Sequence, residues 1–473
     1  MTSLRPRTAR LTINRRRDLV DGVPRHRIVI ASMVGTTIEF YDFYVYATAA
    51  VTVFPHLFFP TGNPTAALLA SLATFGLAFV ARPLGSILFG HFGDRAGRKG
   101  TLVGSLLTMG IATCVIGLLP TYHQAGVVAP AALAVLRFAQ GLALGGEWSG
   151  AALLATETAK PGRRARAAMW PQLGAAAGFL LANGTFLLLL SWQRHSNAAP
   201  DPHGAFLTWG WRIPFLLSAV MVGIGLYVRL RLTETPVFAR AIDRGERVSA
   251  PVVTVFARNW RQLAIGTFIM VATYTLFYTV TTWTLSYGTA NRPPEGTGMG
   301  YSYVHFLALQ LIAALFFAAM LPVATVLADR FGRRPVLLIF TAGIMVYGTT
   351  FGALLARADT STGAMLGFLI IGMALMGLAF GPMSAVLPEL FPTSVRYTGS
   401  GVAYNAASIL GAAVAPFIAT WLSTNHGVGW VGGYLSTAAA LSFIALLLMH
   451  ETRDTAFDGA ELADHVGDAL HPG

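Results

Sequence analysis

Runs of about 20 apolar residues, the length that crosses a bilayer as a helix, recur twelve times along this chain. They fall at 28–54, 65–90, 100–120, 129–157, 166–191, 211–230, 261–287, 302–327, 335–356, 363–388, 396–422 and 428–450, each closed by charge or by Pro and Gly. In hydrocarbon every backbone N–H and C=O must find a partner within the chain, and a continuous apolar run achieves this as a helix. The reading is an all-α polytopic membrane protein. Composition agrees: 54% of residues are hydrophobic and 11% charged, with a mean hydropathy of +0.59.

A net charge of +12 could point to nucleic acid, but the charges sit between the apolar runs instead of on one soluble face. They act as topology signals. With both termini placed inside, 27 of the 33 Lys and Arg fall in cytoplasmic segments and 4 on the other side, while Arg82 and Arg137 lie within spans. The basic segment 1–27 lacks the apolar stretch and cleavage site of a signal peptide and reads as a cytoplasmic tail. Cys114 is the only cysteine, which excludes a disulfide framework and a Cys-based metal site. The eleven histidines form no HxxxH or HExxH pattern, so no metal is expected.

The chain repeats itself. GHFGDRAGRKG at 90–100 resembles VLADRFGRRPV at 326–336, so Asp94, Arg95, Gly97 and Arg98 match Asp329, Arg330, Gly332 and Arg333. Glu157 before Arg163 and Arg164 is echoed by Glu389 before Arg396. Two six-span bundles, 28–230 and 261–450, are therefore expected, joined by a basic linker at 231–260 and followed by a short tail at 451–473. Duplicated halves are the architecture of alternating-access carriers. In each loop the Gly permits a tight turn, the Asp suits a helix N-terminus, and the arginines can pair with the acids Glu157 and Glu389. Such a cluster would latch the cytoplasmic ends. No GxxxxGK[ST] occurs, so ATP hydrolysis is not expected.

The doubled DRxGR[KR] loop on twelve spans resembles the major facilitator superfamily. ExYDF in span 1, ARPLG in span 2 and RFAQGLALGGEWSGA in span 4 are similar to its metabolite:proton symporter branch, which includes carriers of 2-oxoglutarate, citrate, shikimate, and proline or betaine. The resemblance covers about residues 28–452. It implies that spans 3, 6, 9 and 12 are peripheral and that the others line a central cavity.

Five ionisable residues lie deep in spans 1, 2 and 4: Glu39, Asp42, Arg82, Arg137 and Glu147. Each is expensive in hydrocarbon and is a functional candidate for that reason. Glu39 and Asp42, three residues apart, are expected on one helix face, extended by Gly35 and Tyr46. Arg82 precedes Pro83, where a kink is expected. Three acids facing two arginines leave one surplus carboxylate, which suits a proton carrier. Glu39, Asp42 and Glu147 are the proton-coupling candidates, with Asp42 preferred of the first two. Arg82 and Arg137 are the substrate candidates, since Arg recognises carboxylates bidentately. The bland alternative is a set of structural ion pairs. The second half carries no deep charge but offers Tyr274, Tyr278, Gln310 and Asn405, and span 5 adds Gln172 and Asn183. A buried amide needs partners, which favours Gln310 and Asn405 over the aromatics.

The expectation is a monomeric inner-membrane symporter that moves a small organic acid with protons, using the proton gradient and no cofactor, with the lipid bilayer as its surroundings and no nucleic-acid partner. A drug:proton antiporter is disfavoured because span 5, PQLGAAAGFLLANG, has no Gly-Pro pair. An osmosensing zwitterion carrier is disfavoured by the lack of a C-terminal coiled coil. A membrane enzyme would need a catalytic cluster near the lipid interface, and none is seen.

Overall fold

A computed structural model describes residues 19–20, 23–60, 62–96, 98–157, 159, 162–192, 204–230, 251–294, 297–392 and 395–455, with the side chains of 19–29, 90–102 and 229 outside that description. Among the described residues twelve long helices follow one another: α1 Arg25–Thr52, α2 Pro64–Ala96, α3 Arg98–Leu118, α4 Val128–Glu157, α5 Arg164–Trp192, α6 Phe206–Val228, α7 Trp260–Thr289, α8 Tyr303–Phe331, α9 Arg333–Ala358, α10 Thr362–Glu389, α11 Arg396–Asn425 and α12 Val428–Leu448. Ten of them are long and apolar enough to cross a membrane. The other two are α3, whose apolar part is shorter, and α1, which carries EFYDFY. Trp192, Trp209, Trp260, Trp421 and Trp430 stand exposed near helix ends, the level at which Trp meets the membrane–water boundary. Val135, Leu188, Ile339 and Ile444 are exposed between those ends and face lipid.

The repeat seen in the loops is also a repeat of packing. In the first half α1 packs on α5, α2 on α4, and α3 on α4 and α6. Six helices later α7 packs on α11, α8 on α10, and α9 on α10 and α12. The halves meet mainly where α5 lies on α8 and α2 on α11, a pair of contacts related by the same repeat. The short helix Pro251–Arg258 occupies part of the expected linker, and 231–250 lie outside the described residues.

Small residues set the closest approaches. A Cβ on Gly141 would sit 2.3 Å from the Ala78 carbonyl, and one on Gly145 2.1 Å from that of Arg82, so only glycine lets α4 lie this close to α2. The consecutive Gly145–Gly146 also divides α4, expected as one helix, into Val128–Leu144 and Glu147–Glu157. Helix α2 stays continuous through Pro83. Gly332, at the turn between α8 and α9, has φ 101°, the left-handed region that the duplicated loop's Gly was expected to supply.

Candidate functional site

Two arginines share an aromatic box between the halves. Arg82, from α2, places its guanidinium carbon 4.9 Å from the Phe43 ring centre and 5.1 Å from that of Phe79. Arg137, from α4, lies 4.5 Å from the same Phe43 ring, 4.0 Å from Tyr46 and 5.2 Å from Phe75. Rings of Phe43, Phe75, Phe79 and Tyr278 close on one another at 5.1 to 6.3 Å. Tyr278 belongs to α7, so the box is completed by the second half. Tyr274 and Tyr404, with rings 5.4 Å apart, complete the polar surroundings of Arg82, together with Glu39.

Arg137 is 0% exposed. Its Nη1 donates to Gln140 Oε1 at 3.0 Å, while Nε and Nη2 have no hydrogen-bond partner. Among the described residues it forms no ion pair. A desolvated cation–π contact is worth about 2 kcal/mol, whereas burying an ion without its counterion costs several kcal/mol. The rings therefore offset only part of the cost, and the box is short of negative charge.

Structure separates the two acids of EFYDFY. Glu39 is buried and interacts electrostatically with Arg82, Tyr44 and Tyr404. Asp42 is equally buried but faces the seam between α1, α3 and α6, toward Thr113, Cys114 and Ser218. Those hydroxyls flank its carboxylate without bonding to it, and neither oxygen has a hydrogen-bond partner. The expectation of one shared cavity face is thus corrected. Three helical positions differ by about 60°, enough on a helix enclosed on every side to aim two side chains at different neighbours. Glu147 is buried in the first turn of the segment after Gly146, where the helix N-terminus favours negative charge.

The expected polar contacts of the substrate divide into two groups. Tyr46 donates its O–H to Thr74 Oγ1 at 2.8 Å and lends its ring to Arg137. Asn183 accepts from Thr48 at 2.6 Å, and Gln310 donates to the Thr281 carbonyl at 2.7 Å. With Tyr44 and Thr282, Asn183 and Gln310 line a narrow cleft between α1, α5, α7 and α8. Gln172 and Asn405, by contrast, latch the two halves. Gln172 Nε2 donates to the Phe380 carbonyl at 2.8 Å. Asn405 Nδ2 donates to Ser86 Oγ at 2.6 Å and to the Gly145 carbonyl at 3.1 Å. Ser384 donates to the Ala168 carbonyl, Tyr397 to that of Gly146, and Trp148 stacks on Tyr404 at 3.8 Å. Asn183 stands three turns beyond Gln172 along α5, about 16 Å. The cleft is therefore well separated along α5 from the Gln172 latch.

At the face of the duplicated loops the latch continues. Asp329 accepts the backbone N–H of Ala165 and of Arg166, both at 3.1 Å, so a carboxylate of the second half caps α5 of the first. Arg333 is 0% exposed and pairs with Asp329 at 2.9 Å and Glu389 at 3.1 Å. Glu389 also accepts from Thr452. Arg396 donates to the carbonyls of Pro388 and Phe391 and so braces the α10–α11 turn of its own half. Arg330 is exposed against Phe331, and among the described residues its side chain takes no part in the latch, where pairing with an acid was expected. Glu157 is half-buried at the end of α4. Gly97 and the side chains of Asp94, Arg95 and Arg98 lie outside the described residues.

Several participants escape a reading of charge alone. Glu451 accepts the N–H of Arg333 at 2.8 Å and of Arg334 at 3.0 Å, capping α9, and Arg164 donates to the Thr455 carbonyl. Gln140 and Thr113 bond to each other at 2.7 Å. Gln140 could have been found as a buried polar residue one turn from Arg137.

The Major Facilitator Superfamily profile matches residues 33–409 and 304–464. The chain is 55% identical to the inner membrane metabolite transport protein YhjE of Escherichia coli K12, over 91% of this chain and 95% of that protein. It is 35% identical to the shikimate transporter of the same organism, over 96% and 99%, and 31% identical to its proline/betaine transporter, over 93% and 87%. The proton:xylose symporter XylE bound to 6-bromo-6-deoxy-D-glucose superposes with a TM-score of 0.67 over 93% of this chain and 98% of that one, at 18% identity, a likeness of fold.

Proposed function

Because this chain belongs to the major facilitator superfamily of membrane transporters, we propose that it is a monomeric symporter of the inner membrane that takes up a small organic acid together with protons. The observation that carries this reading is Arg137. It is wholly buried, has two nitrogens without partners and is not ion-paired among the described residues. A carboxylate lying between Arg137 and Arg82 would supply the missing charge and accept bidentate hydrogen bonds. Relatives that carry metabolites, shikimate or proline and betaine support the substrate class.

Asp42 is the favoured proton site. An ionised carboxylate without a donor or a cation is costly in such surroundings, and the neutral acid fits them. The positive-inside rule places the face of the duplicated loops in the cytoplasm. The latches of Asp329, Arg333, Gln172 and Asn405 would then hold the cytoplasmic side shut while the cleft at Asn183 and Gln310 faces outward. Substrate and proton would enter there, and breaking the latches would release both inside.

A zwitterionic osmolyte is the second reading, suggested by the proline/betaine relative. Its quaternary ammonium would seek aromatic faces, but those of Phe43, Phe75, Phe79 and Tyr46 already carry guanidiniums. The test is uptake into proteoliposomes of labelled shikimate, 2-oxoglutarate, citrate and proline betaine under an imposed inward proton gradient. Gradient-driven accumulation of an acid is the expected result. Uptake indifferent to the gradient overturns symport, and uptake of proline betaine alone overturns the acid reading.

A further inference from the structure

Anion and proton would bind at places that do not touch. Arg137 faces the aromatic box, while Asp42 faces the α1–α3–α6 seam. One line of side chains joins them. Arg137 Nη1 donates to Gln140 Oε1 at 3.0 Å. Gln140 Nε2 donates to Thr113 Oγ1 at 2.7 Å. Thr113 donates its proton to the Met109 carbonyl at 2.9 Å, with Asp42 beside it. All four side chains are buried.

The direction of this line is fixed from one end. Arginine is only ever a donor. While it holds the amide oxygen of Gln140, the NH2 of that amide must face Thr113. Thr113 then receives a hydrogen bond, and its own proton is free to rest on Met109 or to swing to Asp42. If a carboxylate captures Arg137, the Gln140 amide is released and can turn over. Its oxygen then demands the Thr113 proton, and Asp42 keeps only the Ser218 hydroxyl to stabilise its ionised form.

We infer that Gln140 and Thr113 are positioning residues that form a directional hydrogen-bond relay, through which anion binding at Arg137 favours protonation of Asp42. This rests on the symport reading above and gives it a mechanism. The proton comes from the outer solution onto a carboxylate oxygen of Asp42. It leaves on the other side once the anion departs, Arg137 recovers Gln140, and the Thr113 proton can again reach Asp42. The sign is that of symport: each ligand favours the other by the same factor. Among the described residues the other groups facing Asp42 share no hydrogen bond with Arg137 or Gln140. They are Tyr41 on its own helix, Cys114 on α3 and Ser218 on α6. Tyr41 is already committed to the Pro214 carbonyl at 2.8 Å. Helices α2 and α5 present no charged group to it among the described residues.

The experiment compares wild type with Thr113→Val, Thr113→Ser and Gln140→Leu in proteoliposomes, using the same four labelled compounds. The readout is the apparent KM as a function of outer pH, with counterflow at fixed pH reporting intact folding and alternation. For wild type the apparent KM rises roughly tenfold per pH unit above the coupling pH, and in Thr113→Val and Gln140→Leu it changes less than about twofold. Thr113→Ser, which keeps the hydroxyl, restores the wild-type slope. A full slope in either Thr113→Val or Gln140→Leu overturns the relay and leaves symport standing. A flat wild-type profile overturns symport itself. If Thr113→Val lacks counterflow, Gln140→Leu decides alone: its side chain touches Arg137 but not Asp42, so it can shift KM itself while the slope with pH still reports the coupling.

Discussion

Replacing Asp329 by Asn isolates the charge of the latch. The side chain keeps its shape, but one of its two accepting oxygens becomes a donor that faces a backbone N–H. Asp329 now accepts from Ala165 and Arg166 across the halves and pairs with Arg333 within its own half. The Arg333 pair persists whichever way the halves rock, so it cancels from the equilibrium between open and shut. What changes is the cross-half cap, with the partly exposed Arg166 side chain, 3.5 Å from Asp329, adding little. Charge-assisted bonds are about twice as strong as neutral ones, and bonds to charged groups are worth about 1.5–3 kcal/mol each. Losing one bond and weakening the other costs about 2 kcal/mol, a shift of roughly thirtyfold toward the state open at this face. Spin labels at Arg163 and Phe331, both exposed, in a Cys114→Ala background would report the change as a longer distance population in pulsed electron resonance. An unchanged distance distribution in Asp329→Asn would refute the idea that this cap holds the halves together.

Three further predictions follow from individual contacts. Arg137→Met should abolish uptake without lowering thermal stability, because removing an uncompensated buried cation relieves a cost; scanning fluorimetry beside uptake checks both halves of that statement. Gly141→Ala should lower the melting temperature, since its Cβ would fall 2.3 Å from the Ala78 carbonyl and such overpacking costs about 1–3 kcal/mol. Glu451→Ala should remove the cap on α9 at a cost of about 1 kcal/mol and increase hydrogen exchange at Arg333 and Arg334 selectively, which exchange mass spectrometry resolves.

The fold was legible because lipid leaves so few options: twelve apolar runs and a doubled loop imply twelve helices in two related bundles. The identity of the buried charges was equally plain, since each breaks an oily pattern. Their partners were not. The spacing of Glu39 and Asp42 fixes the angle between them but not which neighbour each meets. That depends on how α1 is rotated, and Gly174 and Gly178 set this by letting α5 approach Thr36 and Phe40. Gln172 and Asn405 were expected among the substrate contacts. Nothing local shows that their partners are carbonyls and a hydroxyl on the opposite half, more than 200 residues away. Glu451 lies beyond the last apolar run, where an acid carries no signal until α9 is placed beside it.

The central claim is that one proton, held on a buried acid, and one anion travel together. With monoanionic shikimate, and one proton carried per molecule, transport is electroneutral. The equilibrium accumulation ratio in proteoliposomes should then rise roughly tenfold for each unit of imposed pH difference and ignore an imposed membrane potential. A ratio that stays at unity whatever the pH difference would contradict the account.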